Sequence, residues 1–513
     1  MNPLLTGERM YVKGRDTMRN ITVSYRQEKG QLNRYFSHCI GAGRANELLR
    51  FTAMEQLEEA VKKCGFRYIR FHGIFHEDMG VCTRDEDGRL HYNFQYIDLL
   101  FDRLLKIGIR PFLELSFMPK CMASGSQTVF FWTANVTPPV DYTEWTDFIT
   151  AFVTHLTLRY GEEEIKQWYF EVWNEPNHKD FFSEHAHIEA YYMLYAKTAF
   201  AVKKVNPAYR VGGPATAGMS WIEEFQQFCK RTKTPLDFIS SHSYCVAGHF
   251  DPDGKKYTAL QESDALIKPI KKYGKLVENA GLPLCITEWS TSYSSRDPIH
   301  DSYISAPFIL HAIKELDGYA DSFSYWVFTD IFEETGLPPT PFHGGFGLFN
   351  TQSLKKSVFH SYQFLNELGD IQLECKDEDC YACKSQDEVQ ILAWNYTRLD
   401  QHDEGNRTFY ARLLPSTPAE SVQICLTDLT PGSYTVCRQT VGYCQGDVYS
   451  AYLQDNAGDL VSIEQTERLR KASEPSKEEF TIRTDDTGVL TINYSTNTNQ
   501  VDFIKIRKKL CNE

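Results

Sequence analysis

The fold can be worked out from one stretch of the chain, Trp168-Tyr169-Phe170-Glu171-Val172-Trp173-Asn174-Glu175-Pro176-Asn177. Its first six residues are mostly aromatic or apolar and do not alternate strictly with polar ones. This pattern indicates a strand that is covered on both faces, as in a parallel sheet. Proline then ends the strand. We therefore predict Asn174 and Glu175 at the carboxyl end of a parallel strand.

On both sides of this stretch, short apolar runs alternate with longer amphipathic ones. The strand-like runs are Tyr35–Ile40, Tyr68–His72, Arg110–Leu115, Trp168–Trp173, Arg210–Gly213, Asp237–His242, Leu284–Thr287 and Ser322–Phe328. The helical runs between them are Asn46–Cys64, Phe94–Ile107, Thr143–Tyr160, Ile188–Val205, Trp221–Lys230, Ala265–Ala280 and Ile304–Leu316. Eight strands separated by helices predict an α/β fold of the (β/α)8 TIM-barrel type.

An open, doubly wound sheet fits this part of the chain less well. Such a sheet commonly has a glycine-rich phosphate loop after an early strand. Gly41-Ala42-Gly43 is the only candidate, and it lacks the third glycine. The barrel is therefore the favoured interpretation.

The pattern changes after about His360, where short runs are separated by turn residues. These runs are Val389–Tyr396, Thr408–Leu414, Ser421–Leu426, Ser433–Gln439, Glu479–Ile482 and Gly488–Tyr494. They predict an accessory antiparallel β-sandwich. We expect residues 15–360 to form the barrel, and residues 1–14 and 361–513 to form the accessory domain. No row of exposed aromatic residues marks that domain as a sugar-binding module, so we expect a structural role or a role in homo-oligomer formation.

Charge and composition argue against several classes of partner. The formal net charge is −14, and an acidic field repels nucleic acid and acidic lipid surfaces. No long apolar run could span a bilayer, and no signal peptide is visible at the start. We therefore expect no nucleic-acid or membrane partner and a cytoplasmic location.

The 14 cysteines are scattered along the chain, which favours reduced thiols. Cys375, Cys380 and Cys383 have a spacing that resembles part of an iron–sulfur motif, but an obvious fourth ligand is missing. The acidic residues between the first two cysteines are typical of a hairpin tip. We predict no metal there.

A second acidic residue, Glu288, follows the apolar seventh strand and precedes Trp289. Strands four and seven are nearly opposite in an eight-stranded ring, so Glu175 and Glu288 should face each other across the barrel mouth. Aromatic surroundings raise the pKa of a carboxyl group, which suits Glu175 as a general acid. Two such groups can cleave a sugar acetal, with retention at about 5–5.5 Å and inversion at roughly 6.5–9.5 Å. Glu171 and Glu114 lie within strands, and we expect structural roles for them.

Four segments resemble glycoside hydrolase family 39, which is known for β-xylosidases and α-L-iduronidase. They are Arg70-Phe71-His72-Gly73, Trp173-Asn174-Glu175-Pro176-Asn177, Thr287-Glu288-Trp289 and Pro341-Phe342-His343-Gly344-Gly345-Phe346-Gly347-Leu348. The Asn-Glu-Pro element is shared by a wide clan of barrel hydrolases. The glycine-rich loop after strand eight is a more specific motif, and it resembles the β-xylosidase branch of the family. The resemblance implies a retaining mechanism, with Glu175 as acid/base and Glu288 as nucleophile.

The resemblance also assigns binding roles to matching positions. His72, Asn174, His242 and Tyr244 would line the sugar pocket, with Tyr244 also holding the nucleophile. Trp326 would stack on the sugar, Glu333 or Glu334 would bind ring hydroxyls, and Phe117 and Phe181 would form the aglycone wall. The structural alternatives are buried histidines, a tryptophan that fills the barrel top and solvated loop carboxylates. The chemistry requires neither a metal nor an organic cofactor.

The leading functional hypothesis is a β-xylosidase that releases xylose from the non-reducing end of xylo-oligosaccharides, with aryl or alkyl glycosides as further substrates. β-Glucosidase, β-galactosidase and α-L-iduronidase activities are alternatives within the same family. Iduronidase is weakened because no basic clamp for a uronic carboxylate is visible. A non-catalytic sugar sensor is an alternative of another class, but both Glu175 and Glu288 are present.

Overall fold

The computed structural model describes residues 18–509 apart from 184–186, 251–255, 387, 403, 456–457 and 459–460. Its largest unit is a closed barrel of eight parallel strands that are neighbours in chain order. They are β1 Cys39–Arg44, β2 Tyr68–His72, β3 Arg110–Leu115, β4 Tyr169–Val172, β5 Arg210–Thr216, β6 Phe238–Tyr244, β7 Leu284–Ser290 and β8 Ser322–Tyr325. The predicted (β/α)8 barrel is therefore confirmed.

Eight longer helices pack around this barrel within the described residues. They are α1 Phe51–Cys64, α2 Gln95–Lys106, α3 Tyr142–Tyr160, α4 Ile188–Val205, α5 Ile222–Thr232, α6 Asp264–Asn279, α7 Ser305–Glu315 and α8 Ser357–Glu367. Their ends follow local rules. Asp141 accepts a hydrogen bond from the Thr143 N–H at the start of α3, and α1 ends at Gly65, whose φ of 74° suits glycine. None of the described helices is long and apolar enough to cross a bilayer.

The first strand begins later than the sequence predicts. Tyr35–Ser37 form a short 3-10 turn, in which the Ser37 N–H donates to the Arg34 carbonyl and the His38 N–H donates to the Tyr35 carbonyl. An apolar run this short does not distinguish a strand from a buried turn, because both bury every side chain.

Two sheets form the accessory unit. One contains Met18–Ser24, Pro418–Thr427 and Leu490–Asn497. The other contains Glu28–Gln31, Ile371–Leu373, Cys380–Lys384, Glu388–Trp394, Val501–Lys508, Ser433–Val441 and Ser476–Arg483. Apolar side chains from both sheets share one buried core, so the predicted sandwich is present. Its pairs are antiparallel except that Met18–Ser24 runs parallel to Pro418–Thr427.

The sequence-based boundaries between the two units need correction. Met18–Ser24 and Glu28–Gln31 belong to the accessory sheets, although residues 15–360 were expected in the barrel. At the other boundary, α8 continues to Glu367. Residues 1–14 lie outside the described part of the chain. The run Thr408–Leu414, predicted as a strand, instead begins inside a short helix, Asn406–Phe409, and continues as a turn and irregular structure.

The cysteine cluster does not converge on one point. Cys380 and Cys383 lie three residues apart on a single strand and therefore face opposite sides of the sheet. Accordingly, Cys380 packs in the sandwich core, whereas Cys383 packs in the core that includes the barrel.

Candidate active site

A cavity of about 520 Å³ lies at the carboxyl ends of the barrel strands. Its described lining is His72, Phe130, Asn174, Glu175, His178, Phe181, Ala217, Gly218, Tyr244, Val246, Glu288, Tyr293, Trp326, Glu334 and Phe346. Most of these residues end a barrel strand or follow one directly. This is the end of a TIM barrel at which active sites are found.

Glu175 and Glu288 meet in this cavity. One carboxylate oxygen of each, together with a ring nitrogen of His242, lie within 4.8 Å of one another. The strand register contributes to this approach, because His242 on β6 pairs directly with Glu288 on β7. Three such groups could in principle ligate a cation, but the Arg70 guanidinium already contacts Glu288, and its positive charge disfavours a second cation.

Glu175 follows β4 on a strained piece of backbone. Its φ is 43°, a conformation that is uncommon for residues other than glycine, and its N–H donates to the Ala215 carbonyl over 2.8 Å. Burial raises the pKa of the Glu175 carboxyl to about 7, while the nearby His178, His72 and Arg70 oppose this rise. A carboxyl group with this pKa still holds its proton near neutral pH, which a general acid requires.

Glu288 differs from Glu175 because both of its carboxylate oxygens accept hydrogen bonds. The Tyr244 hydroxyl donates to Oε2 over 2.8 Å, and Nη1 of Arg70 donates to Oε1 over 2.7 Å. These two contacts fix the orientation of the Glu288 carboxylate, as a nucleophile requires.

Arg70 is a functional residue to which the sequence reasoning gave no role. It is fully buried, and besides Glu288 it contacts Glu171 over 2.6 Å, Glu114 over 2.7 Å and the Asn174 side chain over 2.9 Å. Glu171 and Glu114 thus have the structural ion-pair role expected of them. Arg70 precedes His72 by two residues, so both side chains face the barrel interior, and this periodicity was the available signal.

His72 lies between acidic groups at the end of β2. Its Nδ1 is 2.7 Å from Oε2 of Glu114, and its Nε2 is 3.5 Å from Oε1 of Glu334. Burial alone would lower the pKa of His72, but Glu114 and Glu334 outweigh it and raise the pKa to about 10. His72 therefore remains protonated at neutral pH and presents a donor to the cavity.

His242 is absent from the described lining of the cavity, and its contact with the sugar stays a prediction. It is fully buried behind the wall, where its Nδ1 lies 2.8 Å from Oε1 of Glu175. Burial lowers the pKa of His242 to about 4, so its ring is neutral at neutral pH. Its position suits a partner that shares a proton with Glu175.

The two adjacent glutamates after β8 have different roles. Glu334 lines the cavity, and burial raises the pKa of its carboxyl group. Glu333 is absent from the described lining and binds Arg44 and Arg50, over 3.0 and 2.6 Å. The predicted contact of Glu333 with the sugar stays a prediction.

The aromatic walls also differ in part from the expectation. Trp326 and Phe181 line the cavity, but Phe117 lies behind it, packed edge-on against Trp173 at a ring-centroid distance of 5.4 Å. Phe130 forms the wall in its place and stacks on His72 at 5.7 Å. The sequence reasoning also gave no role to His178, Tyr293 and Phe346. These residues are on loops, where no periodicity indicates a direction.

Comparisons with known proteins agree with this geometry. A model of the glycosyl hydrolases family 39 matches residues 19–491. The chain belongs to glycoside hydrolase family 39. A β-xylosidase from Caldicellulosiruptor saccharolyticus is 39% identical to this family 39 chain over 474 residues, which cover 89% of this chain and 92% of that relative.

Two further relatives of the family 39 chain support the same assignment. A β-xylosidase from Geobacillus stearothermophilus is 42% identical over 369 residues, or 70% of this chain and 73% of the relative. The crystal structure of a monomeric β-xylosidase from Caulobacter crescentus superposes with a TM-score of 0.92 at 38% identity, covering 96% of this chain and all of that one. The family 39 chain is thus a glycoside hydrolase with the fold of that structure.

Proposed function

We propose that this hydrolase is a retaining exo-β-xylosidase that releases xylose from short xylo-oligosaccharides by double displacement, acting in the cytoplasm on imported oligomers. The observation that carries the proposal is the approach of the Glu175 and Glu288 carboxylates to within 4.8 Å. This limit, which applies to one oxygen of each carboxylate, is close to the separation of about 5–5.5 Å in retaining hydrolases and shorter than the roughly 6.5–9.5 Å of inverting ones.

The different environments of the two acids supply their roles in the first step. Glu175, protonated because its pKa is raised to about 7, gives its proton to the glycosidic oxygen. Glu288, oriented by Tyr244 and Arg70, attacks the anomeric carbon as the bond to the leaving group breaks. The product is a covalent glycosyl-enzyme and a free alcohol.

The second step reverses these proton movements. Glu175, now ionised, removes a proton from the incoming water, and the water oxygen displaces Glu288 from the anomeric carbon. The close contact between His242 Nδ1 and Glu175 stabilises the ionised carboxylate between the two steps. Two inversions at one carbon give net retention of configuration.

The charges of the cavity support a neutral sugar over a uronic acid. Lysine and arginine are absent from its described lining, and Glu334 adds a carboxyl group beside the catalytic pair. Among the described lining residues, a uronic carboxylate would meet these acids with the histidines His72 and His178 as its only basic partners. The similarity to two β-xylosidases then favours xylose among the neutral sugars.

A panel of p-nitrophenyl glycosides tests the proposal. We expect the highest kcat/KM with the β-D-xyloside, lower values with the β-D-glucoside and β-D-galactoside, and none with the α-L-iduronide. The double variant Glu175→Ala/Glu288→Gly is the control for contaminating hydrolases. A preference for another glycoside would reassign the sugar, and no nitrophenol release from any member would favour a sugar sensor.

A further inference from the structure

The glycine-rich loop after β8 is anchored by a buried cluster of charges away from the catalytic pair. Lys356, the residue just before α8, is fully buried. Its Nζ lies 2.6 Å from Asp301 Oδ1 and 2.7 Å from Asp330 Oδ2, and it donates to the Gly345 carbonyl over 2.8 Å. The cluster therefore joins the loop to two distant parts of the chain.

Each aspartate of the cluster also holds the loop directly. The second carboxylate oxygen of Asp301, Oδ2, accepts a hydrogen bond from the Gly344 N–H over 2.7 Å. Likewise, Oδ1 of Asp330 accepts one from the Gly347 N–H over 2.7 Å. A Cβ on Gly345 would collide with the Asp330 carboxylate, so glycine is needed for this close approach. Three attachments, at residues 344, 345 and 347, fix the backbone on both sides of Phe346.

Phe346 connects the cluster to the cavity. Its ring lines the cavity and packs edge-on against Phe332 at 5.3 Å, and Phe332 packs edge-on against Trp326 at 6.1 Å. Tyr244, which holds Glu288, packs against the same aromatic group. The loop backbone thus sets the position of one wall of the sugar site.

We propose that Lys356 is a positioning residue that fixes the Phe346 wall of the sugar site. Stability alone is a poor reason for the cluster, because buried ion pairs are often no better than apolar side chains of the same volume. Contacts that hold one loop from several sides are better explained by a need to fix the position of that loop. The kinetic part of this inference rests on the proposed function.

The test compares Lys356→Met with Lys355→Met, its neighbour. Lys355 is partly buried and pairs with Glu59 and Glu474, neither of which belongs to the charge cluster described above. Hydrogen exchange measured by mass spectrometry should show faster exchange of the Gly344 and Gly347 amides in Lys356→Met and unchanged exchange in Lys355→Met. This readout is independent of catalysis. Unchanged loop exchange in Lys356→Met would overturn the proposal even if the protein proved inactive.

Kinetics with p-nitrophenyl β-D-xyloside give the second readout. Phe346→Ala and Lys356→Met should each raise KM by about tenfold with a smaller change in kcat, and the double variant should equal Phe346→Ala alone, because both act through one wall. A general loss of stability would lower the active fraction without changing KM. Additive effects on KM, or no effect of Lys356→Met, would refute the positioning role while leaving the proposed function intact.

A second variant covers the case in which Lys356→Met does not fold. Gly345→Ala leaves all three charges in place but pushes the loop away from Asp330. It should raise KM and loop exchange in the same way. Wild-type values for both would contradict the proposal.

Discussion

The cavity at the barrel mouth has a volume of about 520 Å³, whereas a cleft in the accessory sandwich, lined in part by Tyr25, Tyr434 and Arg507, has about 860 Å³. Glu175, Glu288 and Glu334 all line the smaller cavity. They lie at the ends of barrel strands or on the loops that follow these strands. Of the described residues in the larger cleft, only Glu388 has a carboxyl side chain. Converging acids with unequal environments, not cavity volume, distinguish a catalytic site here.

The largest expected effect comes from Glu288. Glu288→Gly should reduce kcat on the order of 10⁶-fold, since removal of a covalent nucleophile leaves only binding and charge stabilisation. Steady-state assays on aryl xylosides measure this loss. Added azide should not restore a product of retained configuration. If Glu288→Gly kept a kcat close to that of the wild type, another group would be the nucleophile.

Glu175 should have a smaller effect that depends on the leaving group. Glu175→Ala should lower kcat/KM on xylobiose by about 10²–10⁴-fold, the usual contribution of a general acid. Aryl xylosides with good leaving groups should lose less, because they need less protonation. Azide should then form a β-xylosyl azide, detected by mass spectrometry. Equal losses on all leaving groups would contradict the acid role.

The pH profile tests the environment of Glu175 directly. Its carboxyl must be protonated in the first step, and its pKa is raised to about 7, so kcat/KM should fall about tenfold per pH unit above 7. The loss at pH 9 should therefore be about 10²-fold. The alkaline limb should be absent in Glu175→Ala with an activated aryl xyloside. A limb that persists in this variant would belong to another group.

The adjacent glutamates offer a matched pair. Glu334→Gln should lower kcat/KM by about 10- to 150-fold, because a hydrogen bond to a charged group contributes about 1.5–3 kcal/mol. Glu333→Gln should change kcat/KM much less and should instead lower Tm, since Arg44 and Arg50 lose their shared partner. The reverse order of effects on kcat/KM would show that the two side chains exchange roles when substrate binds.

The smallest effect is expected in the accessory cleft. Tyr25→Ala should leave kcat/KM on short aryl xylosides within about twofold of the wild type, because distant sites act independently. The same comparison with long xylo-oligosaccharides extends the test. A selective loss on long substrates would give the cleft a binding role and weaken the contrast between the two cavities.

Strand-end positions were the part of the site that the sequence could predict. Parallel strands in a barrel have a fixed order and direction, so residues such as His72, Glu175, Glu288 and Trp326 must meet at one end. Glu333 and Phe117 lie outside the described cavity lining, because the direction of a loop side chain depends on partners far away in the chain. For Glu333 those partners are Arg44 and Arg50, and no local pattern near residue 333 reveals them.

The fold, like the site, could be predicted from the sequence only in part. Alternating strands and helices predict the barrel, since each element buries a periodic set of side chains. Met18–Ser24 was not recognised as an accessory strand because its partner, Pro418–Thr427, lies some four hundred residues away and the whole barrel intervenes. Pairing over such a separation leaves no signal in either segment alone.

The stereochemistry of hydrolysis tests the central claim most directly. Proton NMR spectra recorded during the first minutes of p-nitrophenyl β-D-xyloside cleavage identify the anomer released before mutarotation. Two carboxylates within 4.8 Å predict β-xylose as the first product. Initial formation of α-xylose would mean that water attacks the sugar directly, and it would contradict the assignment of Glu288 as the nucleophile.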